Sequence, residues 1–322
     1  MPVWSDEDRM IADSADALFA ALGGRARLRG GGGGALDRLL AEGWGGLLLD
    51  EDRGGLGFGL RGAVVALEAA GRNLAPEPLA GLAVAAQVLD RPDREPRTLP
   101  AFAVPDGGGW RTGAVPGLAQ AGALAVFCAQ DAALRLLPRD APGLVVDPFA
   151  TVDGGSSGTA WFPADAGTVL ATGAQALALA DAARATLRLL AAAELAGLSA
   201  AALRLTVDHV ETRRQFGAAL SSHQVIQHRL ADAHVQAMAA QALVYEAVRA
   251  FDGGARDAGA RAAYRRAARA ARLATREAIQ FHGGIGFTDD CDIGLFFKRA
   301  MALTAALDAL DPDPDLTETA HD

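Results

Sequence analysis

The sequence predicts a mostly α-helical protein with a small β-sheet region between two helical regions. Apolar residues recur at helical spacing through the first ninety residues and again after about residue 167. Between them lie short apolar runs separated by Gly and Pro, a pattern typical of short strands. The predicted regions are an N-terminal helical domain over 1–90, a reduced β-strand domain over 91–166, a four-helix bundle over 167–310 and a disordered acidic tail over 311–322.

The first helix of the N-terminal region is predicted to begin after Ser5. Ser5 is a suitable N-cap, and Asp8 stands three residues later, where its carboxylate can complete a capping box. Further helices are predicted over residues 36–42, 61–74 and 79–89. The glycine run at 30–34 follows no strand and lacks a dinucleotide-binding pattern, so we interpret it as a flexible surface loop.

The middle and C-terminal regions differ in the length of their apolar segments. Strands are predicted over residues 99–104, 121–129, 133–137, 143–146 and 159–162. From residue 167 onward the helical pattern predicts four long helices, over residues 177–210, 224–251, 256–281 and 292–310. Since short segments connect these helices, the expected arrangement is an antiparallel four-helix bundle.

Composition excludes several classes of function. The chain has 30 Lys and Arg against 39 Asp and Glu, a net charge of -9, and no basic run, so we expect no nucleic-acid partner. The two cysteines, Cys128 and Cys291, match no disulfide or metal-binding spacing. The acidic N-terminus does not resemble a signal peptide, and charged residues interrupt the longest apolar stretch, over 171–203. These features predict a soluble cytoplasmic protein without a membrane partner.

The histidines do not predict a metal site. His223, His228 and His234 are five and six residues apart, so they do not share one helical face as ligands at positions i and i+4 would. His209 lies on the approach to the same helix. We therefore assign no metal ligand.

Two segments carry a family resemblance. The sequence ETRRQFG over 211–217 and the sequence AIQFHGGIGFT over 278–288 resemble the two signature regions of the acyl-CoA dehydrogenase family. The segments GWGGLLLDEDRGGLGFG over 43–59 and EAAGRNLAPEP over 68–78 are similar to that family's N-terminal helical domain. The predicted order of helical, β and four-helix regions agrees with the family fold over nearly the whole chain.

The resemblance implies an enzyme that removes the α-proton and the β-hydride of an acyl-CoA and passes the hydride to FAD. It also implies that each FAD lies between subunits, with its adenosine-pyrophosphate end on one chain and its flavin ring in a neighbour. The residues that the resemblance assigns to the adenosine-pyrophosphate end are Arg213, Gln215, Phe216, Gln224, Gln280, Gly283 and Gly284.

These assignments agree with the chemistry of the side chains. Arginine gives paired, charge-assisted hydrogen bonds to a pyrophosphate. Adjacent glycines let the backbone approach a cofactor closely, and an amide such as that of Gln280 both donates and accepts hydrogen bonds. The alternative is structural, with Gly283 and Gly284 as a helix C-terminal cap and Phe216 as a core residue.

The motifs that hold the flavin ring in the family are not recognisable. Family members carry a T-E-P-x-x-G-S-D-like segment and a W-x-T-N-like segment in the β domain. The corresponding stretches here, 101–110 (AFAVPDGGGW) and 111–129, contain neither. The departure indicates that this chain lacks the flavin-ring half of the site.

The catalytic base of the family is also missing at the expected positions. Family spacing places the glutamate near Leu307 or near Leu187, and neither residue is an acid. We leave the catalytic residue unassigned, with the nearest acids being Asp308, Asp181 and Glu194. Asp308 is one residue from the first position, but its side chain is shorter and points about 100° away from that of its helical neighbour.

Glu194 lies among leucines in the middle of the first bundle helix. It is expected to be either a buried carboxylate with a raised pKa or one held by an arginine such as Arg188 or Arg204. Because buried charges are usually paired, the sequence favours a structural Glu194 held by an arginine.

These observations lead to three hypotheses. The first is one subunit of a hetero-oligomeric acyl-CoA dehydrogenase, an α2β2 assembly resembling the paired actinobacterial enzymes of sterol side-chain degradation. A homologous partner would then supply the flavin pocket and the base, and the resemblance implies an electron-transferring flavoprotein as acceptor. The alternatives are a fold used for non-redox thioester chemistry, such as dehydration or cyclisation, and a non-catalytic stabilising subunit.

Overall fold

A computed structural model describes residues 4–30, 35–90, 97–215, 217–252 and 256–310. Most of the glycine run, Phe216 and the acidic tail therefore lie outside the described residues. The helices before the sheet are α1 (Asp6–Leu22), α2 (Gly24–Leu28), α3 (Ala35–Ala41), α4 (Gly59–Arg72) and α5 (Leu79–Leu89). The predicted capping box is confirmed, because Asp8 N donates to Ser5 Oγ at 3.0 Å and Ser5 N donates to Asp8 Oδ2 at 2.8 Å.

The middle of the chain forms a seven-stranded sheet with the order β5-β6-β2-β1-β3-β4-β7. Strands β1 and β3 pair in parallel and the other neighbours are antiparallel. Apolar side chains such as Leu99, Val126 and Phe162 form its core. The strands are β1 (Thr98–Asp106), β2 (Gly109–Thr112), β3 (Ala123–Cys128), β4 (Ala133–Pro138), β5 (Val145–Ala150), β6 (Ser156–Pro163) and β7 (Thr168–Thr172).

Two of these strands differ from the sequence prediction. Strand β2 was missed because it begins at the last of three consecutive glycines, which hide a short apolar pattern. The helical pattern expected from residue 167 is wrong for β7, which pairs antiparallel with β4. Its β-branched residues Thr168, Val169 and Thr172 favour the extended backbone of a strand.

The long helices are α6 (Gly173–Thr212), α7 (Gln224–Asp252), α8 (Arg256–His282) and α9 (Ile293–Leu310). The four predicted bundle helices are confirmed, with ends within four residues of those expected. Small side chains let these helices approach closely, since Leu203 of α6 packs with Ala233 and Ala237 of α7 and with Ala274 of α8. Helix α9 joins them where the hydroxyl of Tyr264 donates to the Thr304 carbonyl at 3.1 Å. The fold is thus mostly helical with a central sheet, as predicted.

Helices α4 and α6 approach each other through two glycines. A Cβ atom on Gly71 would overlap the carbonyl oxygen of Glu194, and one on Gly197 would overlap that of Glu68. Any larger residue at either position would separate the two backbones. These glycines therefore fix how closely α4 and α6 pack.

Helix α6 is long and apolar enough to cross a membrane, judged by length and composition alone. In the structure, however, 78% of its apolar window is buried inside the protein. Such burial is typical of a helix in a protein core.

The described residues group into two compact units. One contains residues 4–30, 64–76 and 188–304, and the other contains residues 35–63, 77–90, 97–187 and 305–310. The first unit holds most of the bundle and the second holds the sheet. The domain limits read from the sequence stay a prediction.

A buried carboxylate lies in the unit that holds most of the bundle. Glu68 of α4 is fully buried, and Gln241 Nε2 donates to its two oxygens at 3.3 and 3.1 Å. The Tyr245 hydroxyl lies 3.4 Å from Oε2, and Arg72 lies 3.9 Å away while also pairing with Asp16. Burial outweighs the attraction of Arg72 and raises the pKa of Glu68 to about 7.

This shift predicts a pH-dependent stability that Glu68→Gln removes. The folded chain keeps the Glu68 proton up to about pH 7, whereas the unfolded chain releases it near 4.5. The contribution of protonated Glu68 to the free energy of unfolding is therefore fully present below the pKa of the unfolded chain. It is lost as pH rises through the pKa of the folded chain. Urea unfolding across this range is expected to show wild-type stability falling relative to Glu68→Gln. Glu246→Gln, at an exposed glutamate of α7, is the control, and identical pH slopes for all three proteins would contradict the prediction.

Candidate functional site

The ends of α6 and α8 meet through two histidines. The ring of His209, near the end of α6, stacks on the ring of His282, the last residue of α8, with centroids 4.1 Å apart and planes 21° apart. His282 Nδ1 lies 2.8 Å from the carbonyl oxygen of Ala278, one turn earlier in α8. We call His209 and His282 the histidine pair. It brings together the two sequence segments that carry the family resemblance.

Arg213 follows directly after α6 and is exposed. The Arg213 backbone N–H donates to the carbonyl of His209 at 2.9 Å. Arg213 is therefore held one helical turn after His209 of the histidine pair. Among the described residues its guanidinium makes no ion pair. The side chain is therefore available to an anion from outside the chain.

A short hairpin continues from Arg213. Strand β8 (Arg214–Gln215) pairs with β9 (Ala218–Ala219), and Gly217 in the turn has a φ of 80°, which favours glycine. The Gln215 side chain is exposed. Phe216 lies outside the described residues, so its expected role stays a prediction.

The three glycines after α8 have different roles. Gly283 has a φ of 66°, which fits the predicted helix cap. A Cβ on Gly286 would lie 3.2 Å from the carbonyl oxygen of Ile279, so packing accounts for this glycine. Gly284 has neither a positive φ nor a neighbour within 4 Å of an added Cβ. Contacts within the described chain therefore do not account for its missing side chain.

The two remaining predicted residues are exposed glutamines. Gln280 lies in the last turn of α8, two residues before His282, while Gln224 is the first residue of α7. Within the described part of the chain, neither side chain makes a hydrogen bond. The structure thus brings Arg213, Gln280, Gly283 and Gly284 to the same helix ends, and it places Gln224 separately at the start of α7.

The histidine pair is the feature that sequence reasoning missed. Burial lowers the pKa of His209, and the neighbouring His282 and Arg213 lower it further. Burial also lowers the pKa of His282, against the opposing effect of the bond to Ala278. Both rings are therefore neutral near pH 7. The available signal was that His209 stands one helical turn before Arg213 and that His282 directly precedes the glycine pair.

Other reactive groups do not form a second centre. No set of three or more His, Cys, Asp or Glu side chains in the described ranges could hold a metal ion. Cys128 and Cys291 are free thiols, and burial of Cys128 in β3 raises its pKa to about 11. A thiol with this pKa is a poor nucleophile at neutral pH.

Glu194 is a buried carboxylate held by an arginine of α9. Arg299 donates to Glu194 Oε1 from Nη2 at 2.7 Å and from Nε at 3.1 Å. The same Nη2 lies 3.0 Å from the carbonyl oxygen of Ala75. Both charged side chains are nearly inaccessible, with 5% of Glu194 and 8% of Arg299 exposed. The expected arginine pairing is confirmed, with Arg299 as a partner that the sequence did not single out.

The arginines that the sequence proposed for this role have acidic partners of their own. Arg188 Nη1 lies 2.5 Å from Asp257 Oδ1, and Arg204 Nη1 lies 3.4 Å from Asp208 Oδ2 on the exposed face of α6. Asp308, the other weak candidate for a base, is half-buried on α9.

The stretch that corresponds to the first flavin-ring motif folds as a tight β-hairpin. In this hairpin Ala103 of β1 pairs with Thr112 of β2, and the pairing continues to Asp106 and Gly109 beside the turn. Gly107 and Gly108 form the two-residue turn with φ values of 56° and 87°, as a type I′ turn requires. Residues 101–110 contain no hydroxyl or amide side chain. Within residues 101–110 the hairpin therefore offers no side chain of the hydroxyl or amide type that binds a flavin ring in the family motif.

Comparison with known proteins identifies the family. Residues 177–306 match the family described as acyl-CoA dehydrogenase, C-terminal domain. The chain is 30% identical to acyl-CoA dehydrogenase IpdE2 of Mycobacterium tuberculosis, over 92% of this chain and 91% of that protein. The chain belongs to the acyl-CoA dehydrogenase family. It is also 33% identical to IpdE2 of Mycolicibacterium smegmatis, over 82% of this chain and 80% of that protein.

Solved structures agree with this acyl-CoA dehydrogenase fold. A variant of the Tcur3481-Tcur3483 steroid ACAD has a TM-score of 0.81 and 27% identity, with 94% of each chain covered. The ChsE4-ChsE5 complex of Mycobacterium tuberculosis has a TM-score of 0.80 and 21% identity, covering 96% of this chain and 95% of that one. Butyryl-CoA dehydrogenase of Megasphaera elsdenii has a TM-score of 0.80 and 19% identity, covering 94% and 95%. The fold class and family expected from the sequence are confirmed.

The Glu194–Arg299 pair gives a test of its structural role. Arg299→Met leaves the carboxylate buried without this partner, so we expect a loss of about 3 to 5 kcal/mol in the free energy of unfolding. Glu194→Met combined with Arg299→Met removes both charges and should recover much of that loss. Both values are measured by urea unfolding.

The control is Arg204→Met, which breaks an exposed ion pair on the same helix as Glu194 and should change stability by at most about 1 kcal/mol. An Arg299→Met variant as stable as this control would contradict the structural role of the pair.

Proposed function

We propose that this chain is one subunit of an FAD-dependent acyl-CoA dehydrogenase and contributes the adenosine-pyrophosphate half-site. We define this half-site by Arg213, Gln280, Gly283 and Gly284, with Gln215, Phe216 and Gln224 as further residues assigned by the family resemblance. The observation that carries the proposal is the stacking of His209 on His282, which joins the two helix ends.

The described residues suit a pyrophosphate. Arg213 is an exposed cation without an ion-pair partner in the described chain, and arginine binds phosphate oxygens through a planar set of donors. The backbone at Gly284 is open to a ligand, because no atom of the described chain lies within 4 Å of an added Cβ. Gln280 can donate and accept hydrogen bonds at ribose or adenine. When bound, FAD supplies the acceptor for the hydride of the acyl group.

The remaining parts of a dehydrogenase site are proposed to come from a homologous partner. The β1–β2 hairpin has no hydroxyl or amide between residues 101 and 110. The two positions where the family carries its base are apolar, with Leu187 buried and Leu307 on α9. Glu194 already pairs with Arg299. Proton abstraction needs a carboxylate free to reach the substrate, and the partner's glutamate would provide it.

The related proteins support the proposed assembly and substrate class. The similar Tcur3481-Tcur3483 protein is described as a steroid ACAD, and the ChsE4-ChsE5 structure is described as a complex. By analogy we assign this chain to an α2β2 heterotetramer that oxidises a bulky acyl-CoA, such as one with a sterol side chain. An electron-transferring flavoprotein is the proposed acceptor and the cytoplasm the proposed location.

Co-expression tests this function. The full chain produced with a homologue that carries the flavin-ring motifs and the glutamate should yield a yellow complex with acyl-CoA dehydrogenase activity. Arg213→Ala should weaken FAD binding by about ten- to a hundredfold, because it removes hydrogen bonds worth about 1.5 to 3 kcal/mol. FAD retention is measured from flavin absorbance after dialysis. Arg204→Ala, at an exposed arginine of α6 nine residues before Arg213, is the matched control.

The other functions predict different results from the same experiment. Two separate homo-oligomers without flavin would contradict the heteromer. Turnover of a thioester by the chain alone and without flavin would favour non-redox chemistry. Unchanged FAD content in Arg213→Ala would favour a purely stabilising subunit.

The glycine pair gives an independent test of the half-site. Gly284→Ala should leave the free energy of unfolding unchanged, since an added Cβ meets no atom within 4 Å, but should reduce FAD retention by the complex. Gly283→Ala should cost about 1 to 2 kcal/mol of stability because its φ is positive. Gly23→Ala is the control, since Gly23 has the same φ of 66° and the same open surroundings. Full FAD retention by Gly284→Ala would show that this backbone does not contact the cofactor.

A further inference from the structure

The tautomer of His282 follows from its surroundings. A backbone carbonyl only accepts hydrogen bonds, so the 2.8 Å contact with Ala278 places the proton of the neutral ring on Nδ1. The lone pair is then on Nε2, and a second proton can bind there without breaking the contact to α8. Protonation would turn Nε2 from an acceptor into a charged donor.

Burial lowers the pKa of both rings of the histidine pair, and the positive charge of Arg213 adds to this effect at His209. The rings are 4.1 Å apart, and a proton on one disfavours a proton on the other. Arg213, which directly follows α6, is the charged side chain of the described chain that acts on His209. The Ala278 carbonyl on α8 is the opposing polar group at His282. Of the two acidic side chains nearest to His209 on α6, Asp208 pairs with Arg204 and Glu211 is exposed.

An anion bound at Arg213 would favour the protonated form of the histidine pair. A diphosphate diester carries two negative charges, which favour protonated groups within a few ångströms. Because the charge of Arg213 acts on His209 and the His209 ring stacks on that of His282, an anion paired with Arg213 would also act on the histidine pair. Binding would then stabilise the charged form of a ring that is neutral in the free chain.

We propose that the histidine pair takes up a proton from solvent when a diphosphate binds at Arg213, so that His282 becomes a further, proton-linked ligand of the nucleotide. The inference rests on the proposed adenosine-pyrophosphate half-site and extends it with a second cationic group that appears only in the bound state. Affinity for the nucleotide then rises as pH falls through the range in which the free rings lose their protons.

Titration calorimetry on the full chain tests the proton uptake. The probe is ADP-ribose, whose diphosphate is a diester and does not itself titrate near neutral pH. Binding is measured at about pH 6.5, near the ordinary histidine pKa, in buffers with different enthalpies of ionisation. The dependence of the observed heat on the buffer gives the number of protons taken up. We expect net uptake approaching one proton, and up to about tenfold tighter binding for each pH unit lowered within the window.

Variants identify the rings responsible. His209→Phe keeps an aromatic stack but does not titrate, and His282→Asn keeps a donor toward Ala278 without a titrating ring. The double variant should lose both the proton uptake and the pH dependence of binding. His234→Asn, at an exposed histidine of α7, is the control and should behave as wild type.

The outcomes separate this inference from the proposed function. Binding of ADP-ribose without proton uptake, or with uptake that survives in the double variant, would overturn the inference alone. Absence of binding at every pH, in the chain and in its complex with the partner, would overturn the half-site and the inference together. Proton uptake in wild type and in His234→Asn, but not in the double variant, would establish it.

Discussion

The close contact between α4 and α6 is the constraint on which the helical unit depends. Gly71 lies against the backbone of Glu194, and Gly197 lies against the backbone of Glu68, so each helix carries one glycine at the other's surface. The same contact buries both glutamates, and each needs a polar partner in the interior. Glu194 pairs with Arg299 of α9, whereas Glu68 receives hydrogen bonds from Gln241 of α7. The close contact that the two glycines allow thus requires polar partners for Glu68 and Glu194 on the neighbouring helices.

The packing of α4 against α6 also positions the candidate site. His209 lies fifteen residues after Glu194 on a continuous helix, which is about 22 Å at 1.5 Å per residue. Because α6 is anchored in the core by its apolar face and by the Glu194–Arg299 pair, its C-terminal end has a defined place against α8. The stacked rings then join the helix end that precedes Arg213 to the helix end that precedes the exposed glycines. The candidate site therefore lies at the end of a helix whose middle is buried, although Arg213, Gln280, Gly283 and Gly284 are exposed.

Much of this arrangement could be predicted from the sequence, and the failures have physical reasons. The periodicity of long apolar segments located α7 and α8 closely, since a helix of this length contains many turns of the pattern. Strands β2 and β7 have four and five residues and too few alternations to be recognised. The Arg299 partner of Glu194 and the stacking of His209 on His282 join residues far apart in sequence. No local pattern predicts such pairs, because they depend on how helices pack.

The interior of this protein also explains why a base cannot easily arise at the position that Leu187 occupies. Leu187 is 7% exposed, so a carboxylate introduced there would lose its hydration. Glu68 shows the result in this chain, because burial keeps its pKa near 7 even with Gln241, Tyr245 and Arg72 around it. A carboxylate with fewer partners would be protonated at neutral pH and could not accept the α-proton of a thioester. A functioning base needs a polar surrounding as well as a glutamate, and a partner chain of the same family that retains both is the simplest source.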